Sequence, residues 1–262
     1  MGAAIVRVIT RARGALGVGA VVAGAVVIGA TAGDVRAQAP LPDPDSLLAR
    51  AIEAGGGEQA LQAARALTWE GDAFVTSGGR VVRITGTWMV QPPDTAIVAT
   101  WDVTRGPATM RALVIAVPRG WIVAGDRFDP MPPTLLAAER DEFHLYELMR
   151  LVGVRAPSVT RTAAPPDTAG NPGVRVSWPG RRDVVLHMDR ATGRLVHLQA
   201  EISDAQGTVR QDAWLEGTIE ADGVRWPRTL RLLQDGAPYF LMTLRTLRTA
   251  ARLDDPRLAG PR

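Results

Sequence analysis

The stretch DVVLHMDRATGRLVHLQAEI, residues 183–202, holds two of the chain's three histidines, His187 and His197, ten residues apart around a Thr-Gly turn. Period-two alternation places Val184, Leu186 and Met188 on one face and Val185, His187 and Asp189 on the other. On the return arm Val196, Leu198, Ala200 and Ile202 oppose Leu195, His197, Gln199 and Glu201. Asp189 to Gly193 reads as the turn, with Gly193 at positive φ. The segment is therefore a β-hairpin with one apolar face. Both histidines fall on its polar face, where solvated surface positions are expected. A zinc site would need a third and fourth ligand, and no further histidine lies within local reach.

Outward from this hairpin, alternation dominates. Leu67, Trp69, Gly71, Ala73 and Val75 share a phase, as do Val82, Ile84, Gly86, Trp88 and Val90. Residues 95–104 continue the pattern after Pro92-Pro93. Residues 112–117 are apolar on both faces and call for cover on both sides. Helical patterning appears over 47–54 and 58–66, broken by Gly55-Gly56-Gly57, with Ser46 as the expected cap. A third helix begins at Pro132-Pro133-Thr134 and carries Leu145, Leu148, Met149 and Val152 at helical spacing before Gly153. Residues 163–173, AAPPDTAGNPG, read as a flexible loop, and 254–262 as a tail. The order excludes βαβ alternation and predicts an α+β domain with one strongly curved antiparallel sheet of nine to eleven strands, an unclosed barrel with helices over its concave side.

The first 37 residues stand apart. Arg7, Arg11 and Arg13 precede an apolar run over 14–32, and Val35-Arg36-Ala37 supplies the small residues of a cleavage site. The expected organisation is a signal peptide over 1–37 and one domain over 38–262, exported to the periplasm, with cleavage favoured over an uncleaved anchor. The isoelectric point of about 10.3 misleads, because residues 38–262 hold 26 basic and 26 acidic side chains. A basic nucleic-acid binder is not indicated. With no cysteine, neither a disulfide framework nor a lipobox is available.

Catalytic signatures are missing. No HExxH surrounds His144, whose neighbours Asp141, Glu142 and Glu147 point to a helix-surface ion pair. The carboxylate pairs Glu201/Asp204 and Glu216/Glu220 fall at solvent-facing strand positions. No catalytic residue, metal ligand or cofactor is assigned. The aromatic inventory is richer, with seven Trp against four Phe and two Tyr. Strand phase nominates Trp69, Trp88, Trp101, Leu186, Met188, Leu198, Leu215 and Met242 as the lining of the concave face.

Three turn and strand-end signatures then stand out: Asp189, Thr192, Gly193 and Leu195 as D-x-x-T-G-x-L; Asp222, Gly223 and Pro227 as D-G-x-x-x-P; and the closing Leu253 to Pro256, Leu-Asp-Asp-Pro. With the leading segment ARAIEAGGGEQALQAARALTWEG, these resemble the LolA/LppX-like superfamily of exported lipoprotein and lipid carriers over about residues 46–258. Two departures are His187, where the family often has an aromatic, and the proline-rich 163–173. The resemblance implies an unclosed barrel sheltering acyl chains. A monomeric carrier of a lipid, lipoprotein acyl chains or another hydrophobic ligand ranks first. An envelope sensor or protein-interaction module on the same fold ranks second, and a hydrolase third. A concave face filled by the protein's own side chains, with no cavity, would sink the carrier reading.

Overall fold

The computed structural model of the 262-residue chain describes residues 41–77, 79–204 and 207–261; the export segment expected at 1–37 lies outside them. Two short helices open the described chain. Helix α1 (Pro44–Ala54) is capped by Asp43, whose carboxylate accepts from the Ser46 backbone N–H at 2.8 Å and hydroxyl at 2.7 Å. The capping side chain is thus Asp43, and the expected cap Ser46 donates to it from inside the first turn. Gly56 and Gly57, at φ 118° and 89°, separate α1 from α2 (Glu58–Ala63).

The next strands are β1 (Ala66–Ser77), β2 (Arg80–Gln91), β3 (Thr95–Asp102), β4 (Arg111–Ala116), β5 (Arg119–Ala124) and β6 (Arg127–Pro130). Helix α3 (Pro133–Met149) follows, then β7 (Thr160–Ala164), β8 (Gly173–Ser177), β9 (Val184–Met188), β10 (Leu195–Asp204) and β11 (Gly207–Glu216). The chain finishes with β12 (Ile219–Ala221), β13 (Val224–Trp226), β14 (Thr229–Gln234) and β15 (Ala237–Ala250). Thirteen strands form one antiparallel sheet, ordered β6-β5-β4-β3-β2-β1-β15-β14-β11-β10-β9-β8-β7, while β12 and β13 pair as a separate ribbon. The sheet exceeds the nine to eleven strands expected, because β6 and β7 are too short to announce themselves by alternation. Its two ends, β6 and β7, do not meet, so the barrel stays open.

A glycine pair shapes the sheet's middle. Gly71 and Gly86 lie directly opposite one another on β1 and β2, beside a bulge at Glu70/Gly71. A Cβ on Gly86 would sit 2.0 Å from the Ala99 carbonyl oxygen, and one on Gly71 2.6 Å from that of Thr243. Neighbouring strands can approach this closely only where no side chain intervenes.

All three helices pack on one face of the sheet, here the inner face. Leu47, Leu48 and Ile52 of α1, Leu61 of α2, and Leu145 and Leu148 of α3 share a continuous core with Trp69, Leu186, Leu198 and Met242. Its centre is a cluster of rings. Trp69 lies 5.1 Å from Tyr146 and 6.3 Å from Trp226 between centroids, and its indole N–H reaches the Met242 sulfur at 3.3 Å. A smaller core occupies the outer face over β3 to β5, where Ile97, Val114 and Trp121 pack with Leu258. The two-sided cover expected for residues 112–117 is thus supplied by the inner core and by the C-terminal segment. That segment is no loose tail: Gly260 abuts the Trp121 ring, and the Leu253 N–H donates to Gln91 at 2.6 Å.

Candidate functional site

Seven of the eight nominated lining residues do face inward: Trp69, Trp88, Leu186, Met188, Leu198, Leu215 and Met242 belong to the inner core. Trp101 does not. Its strand pairs Val98 with Trp88, so Ala96 and Val98 point inward while Ile97, Ala99 and Trp101 point outward. Alternation gives the phase within a strand, but the turn through Pro92-Pro93 fixes the phase between strands.

Among the described residues, the inner face is filled by packed side chains. Trp69 and Leu186 are each 0 % exposed, covered by the protein's own helices and strands. Between α3 and the start of β3 a gap of about 10 Å³ remains, bordered by Val90, Ala96, Ile115, Arg140 and Phe143. That is room for about one water molecule. A broader groove of about 350 Å³ lies outside, along α1, and is lined by Arg50, Glu53, Glu58 and Arg155.

The inner face changes character under the N-terminal half of α3. The helix seats itself with Leu135, Glu139, Glu142, Tyr146 and Met149, spaced i, i+4, i+7, i+11 and i+14 along one stripe. Two carboxylates therefore sit on the core-facing side, each half-buried. Desolvation raises Glu139 to about 8, with the charge of Glu142 adding to the effect. Glu142 is raised too, chiefly by burial; Arg182 and the Gln211 amide work against the shift. Both carboxylates act on Tyr146 and on Tyr239 of β15, pushing those phenols upward together with burial. Gln211 of β11 is 2 % exposed, and neither atom of its amide closes a hydrogen bond of ordinary geometry. The Arg182 guanidinium is engaged by Asp141, at 3.2 Å to the carboxylate and 3.1 Å to the carbonyl. Arg140, likewise, is bound to Asp94 at 2.8 Å.

The outer face corrects the reading of the histidines. His187 is 3 % exposed and His197 1 %. The hairpin itself forms as expected, with Leu186 opposite Leu198 and His187 opposite His197. Asp189 anchors its turn by accepting from the Thr192 N–H and hydroxyl, and Gly193 takes φ 75°. A bulge between Leu195 and His197 turns Leu195 inward, contrary to strict alternation. What buries the histidines is the proline-rich connection between β7 and β8, expected as a free loop, which folds back over β9 and β10. The Asn171 carbonyl lies 3.3 Å from His187 Nδ1, and the Asp167 carboxylate 3.4 Å from His197 Nδ1. From the other side His197 Nε2 meets Asp212 at 2.9 Å.

The rings are stacked as well as bonded. His187 lies 4.9 Å from His197, which lies 3.9 Å from Trp214 with planes 1° apart, and the Arg231 guanidinium caps Trp214 at 5.9 Å. Burial pulls His187 below its ordinary pKa of 6.5, and the adjacent His197 adds to this. Burial tends to raise Asp167 and Asp212, but hydrogen bonds from Asn171 to the first, and from Arg210 and His197 to the second, hold both below the usual range. The arrangement is a satisfied clamp for the loop, although His187 Nε2 lacks a partner. Nor is His144 on the surface. It is buried, 3.1 Å from Glu147 and edge-on to Trp178 at 5.4 Å. Among the described residues, no three metal-ligating side chains converge.

Sequence reasoning missed Glu139, Asp167, Asp212 and Gln211. The Glu139/Glu142 stripe was readable from helical spacing; the loop's return over the histidines had no local signal.

No protein-family model and no curated protein matches the sequence. Solved structures do match in fold. A DUF1329 family protein from Desulfovibrio piger superposes with a TM-score of 0.51 at 9 % identity, covering 84 % of this chain and all of that one. A LolA superfamily protein from Nitrosomonas europaea gives 0.50 at 9 % identity, covering 82 % and 96 %. The chain therefore has a LolA-like fold, an open antiparallel half-barrel with helices against its inner face. Among the described residues, no helix is long and apolar enough to cross a membrane.

Proposed function

We propose that the chain is exported, that residues 38–262 act as one monomeric periplasmic domain, and that this domain binds or carries a hydrophobic ligand, a lipid or the acyl chains of a lipoprotein. The observation that carries the reading is the seat of α3: its buried side chains, His144, Leu145, Tyr146, Leu148 and Met149, all lie toward its C-terminal end, and the turns before them, with the half-buried Glu139 and Glu142, bury none. The N-terminal part of this helix is held by partly buried side chains alone. The filled inner face is the outcome set against a carrier, so the reading requires α3 to lift and uncover the apolar face beneath, the filled interior being its closed state. The Nitrosomonas neighbour's LolA superfamily assignment supports this at the level of fold.

Sheltering about ten methylenes at roughly 0.8 kcal/mol each gives about 8 kcal/mol before ordering costs. No catalytic group is required. The test is native mass spectrometry of protein purified from the periplasm, with solvent extraction of bound species. A stoichiometric lipid or acylated peptide is expected. A clean apo mass, with no uptake of added fatty acid or lipopeptide, overturns the reading.

A second reading, a protein-interaction module, is favoured by an apolar patch on the outer face. Phe74 and Leu241 lie directly opposite on β1 and β15, with Phe74 43 % exposed, and Val81 nearby on β2 is 66 % exposed. A partner retained by the wild type and lost in Phe74→Ser would support it.

A further inference from the structure

We propose that the outer face, at the end of the sheet where β1 turns into β2, docks on an anionic phospholipid surface. Phe74, Val81, Val103, Met110 and Leu241 are its apolar contacts, and Arg80, Arg83 and Arg105 its phosphate contacts. This goes beyond the hydrophobic-ligand reading, because it uses the opposite face of the sheet and names the surface the protein meets rather than what it holds.

Of the six large apolar side chains left exposed among the described residues, five gather here; the sixth, Leu41, precedes α1. Strand register brings them together. Phe74 on β1 lies opposite Leu241 on β15 and opposite Arg83 on β2, and the Val103 N–H donates to the Arg83 carbonyl at 2.9 Å. Ala73, Val75, Val82, Ile84 and Met242 pack inward, so Phe74, Arg83 and Leu241 between them point outward. Four neighbouring strands at about 4.8 Å spacing make this row roughly 15 Å long. Val81, opposite Thr76, stands one step nearer the β1–β2 turn, and Met110 closes the β3–β4 connection that Val103 opens. An exposed apolar patch of this extent marks a surface that meets something else.

Charge selects the occupant. Arg83 stands in the row itself, Arg80 beside the β1–β2 turn and Arg105 in the β3–β4 connection. All three are exposed, and among the described residues none is in an ion pair. The carboxylates around them are already used. Asp72, on which Arg83 also acts, is bonded to Arg245 at 2.6 Å. Asp102 accepts the backbone N–H groups of Thr104 and Arg105, and Asp235 accepts that of Arg210. A second copy docked through the same patch would bring only more positive charge against it. A protein partner would need carboxylates placed in register with three separate arginines. A phospholipid surface meets both demands at any spacing, with phosphate oxygens for the guanidiniums and apolar depth beneath them for the side chains between. Each arginine held close to an anionic leaflet strengthens binding about fivefold.

The experiment is co-sedimentation with vesicles, using protein purified from the periplasm and confirmed by mass to lack the apolar run over 14–32. One set of vesicles is phosphatidylcholine alone, the other an equal mixture with phosphatidylglycerol. Expected is partition into the mixed vesicles about tenfold or more above that into the neutral ones, a difference that added salt erases. Two double variants, checked for folding by thermal melting, separate the contributions. Arg83→Gln/Arg105→Gln should lose the preference for mixed vesicles, and Phe74→Ser/Val81→Ser should bind them about tenfold less while keeping that preference. Absence of binding to the mixed vesicles, equal binding to both kinds, or a preference untouched in the arginine variant overturns the proposal. So does a wild type that ignores vesicles but dimerises, or holds an acidic protein partner, through Phe74. Native mass spectrometry reads the interior ligand independently, so each of these results leaves the carrier reading standing, and a clean apo mass leaves the docking surface standing.

Discussion

His187 and His197 show how little a side chain's type says about its surroundings. Both occupy the polar phase of an alternating hairpin, yet the β7–β8 loop brings Asn171 and Asp167 over them. The clamp is pH-sensitive through His187. Its folded pKa lies below 6.5, so as pH falls beneath 6.5 the unfolded chain takes up a proton that the folded chain refuses. Stability contributed by neutral His187 is therefore present above pH 6.5 and is lost progressively below it. Thermal melts between pH 7.5 and 5 should show the wild type losing more stability than His187→Gln, whose amide keeps polarity without titrating. An identical pH slope in the two proteins would mean that His187 does not govern the loop's hold. None of this was visible in residues 183–202, because the covering groups come from a loop with no helical or strand period. A glance at composition would not help either: Asp167 and Asn171 are ordinary turn residues until the fold delivers them.

Among the elements, those with a strong period were legible and those defined by relation to others were not. The hairpin was readable because Leu186, Leu198 and Gly193 carry both its phase and its turn. Helix α3 was readable from Leu145, Leu148 and Met149, but its carboxylate-bearing seat had to be seen against Gln211 and Tyr239 on distant strands. Trp101 went to the wrong face since nothing in β3 itself reports which way its first residue points after the Pro92-Pro93 turn. The Gly71–Gly86 pair belongs between these cases, for both glycines lie in apolar phases but only the packed strands explain why. Gly86→Ala should cost about 3 kcal/mol, as its methyl would collide with the Ala99 carbonyl and push β2 and β3 apart. Urea denaturation would measure this, and a loss below 0.5 kcal/mol, roughly the noise of a surface change, would mean the strands yield easily.

At the scale of the molecule, the long central strands and the inner helix should differ in how they open. β1 and β15 pair along most of their length, with Trp69 opposite Leu247 and Ala73 opposite Met242, so their amides are released only when the sheet itself comes apart. Helix α3 rests on that sheet through Leu145, Leu148 and Met149 near one end, and through the Glu139/Glu142 stretch near the other. Arg140 with Asp94 and Arg182 with Asp141 tie it down by ion pairs that retain partial exposure, a weak form of fastening. Local opening free energies within one protein range from near zero to the global value, set by buried apolar contact. Hydrogen exchange should therefore find the N-terminal half of α3 exchanging well before β1 and β15, through an opening that leaves the sheet intact. Added fatty acid should slow the exchange of the sheet amides facing the helix while changing that of the edge strand β6 little. Were α3 to exchange only in step with β1 and β15, the helix would be a fixed part of the core. An interior that opens only by global unfolding could not load a ligand, and the exposed outer patch around Phe74 would become the surface on which function must be sought.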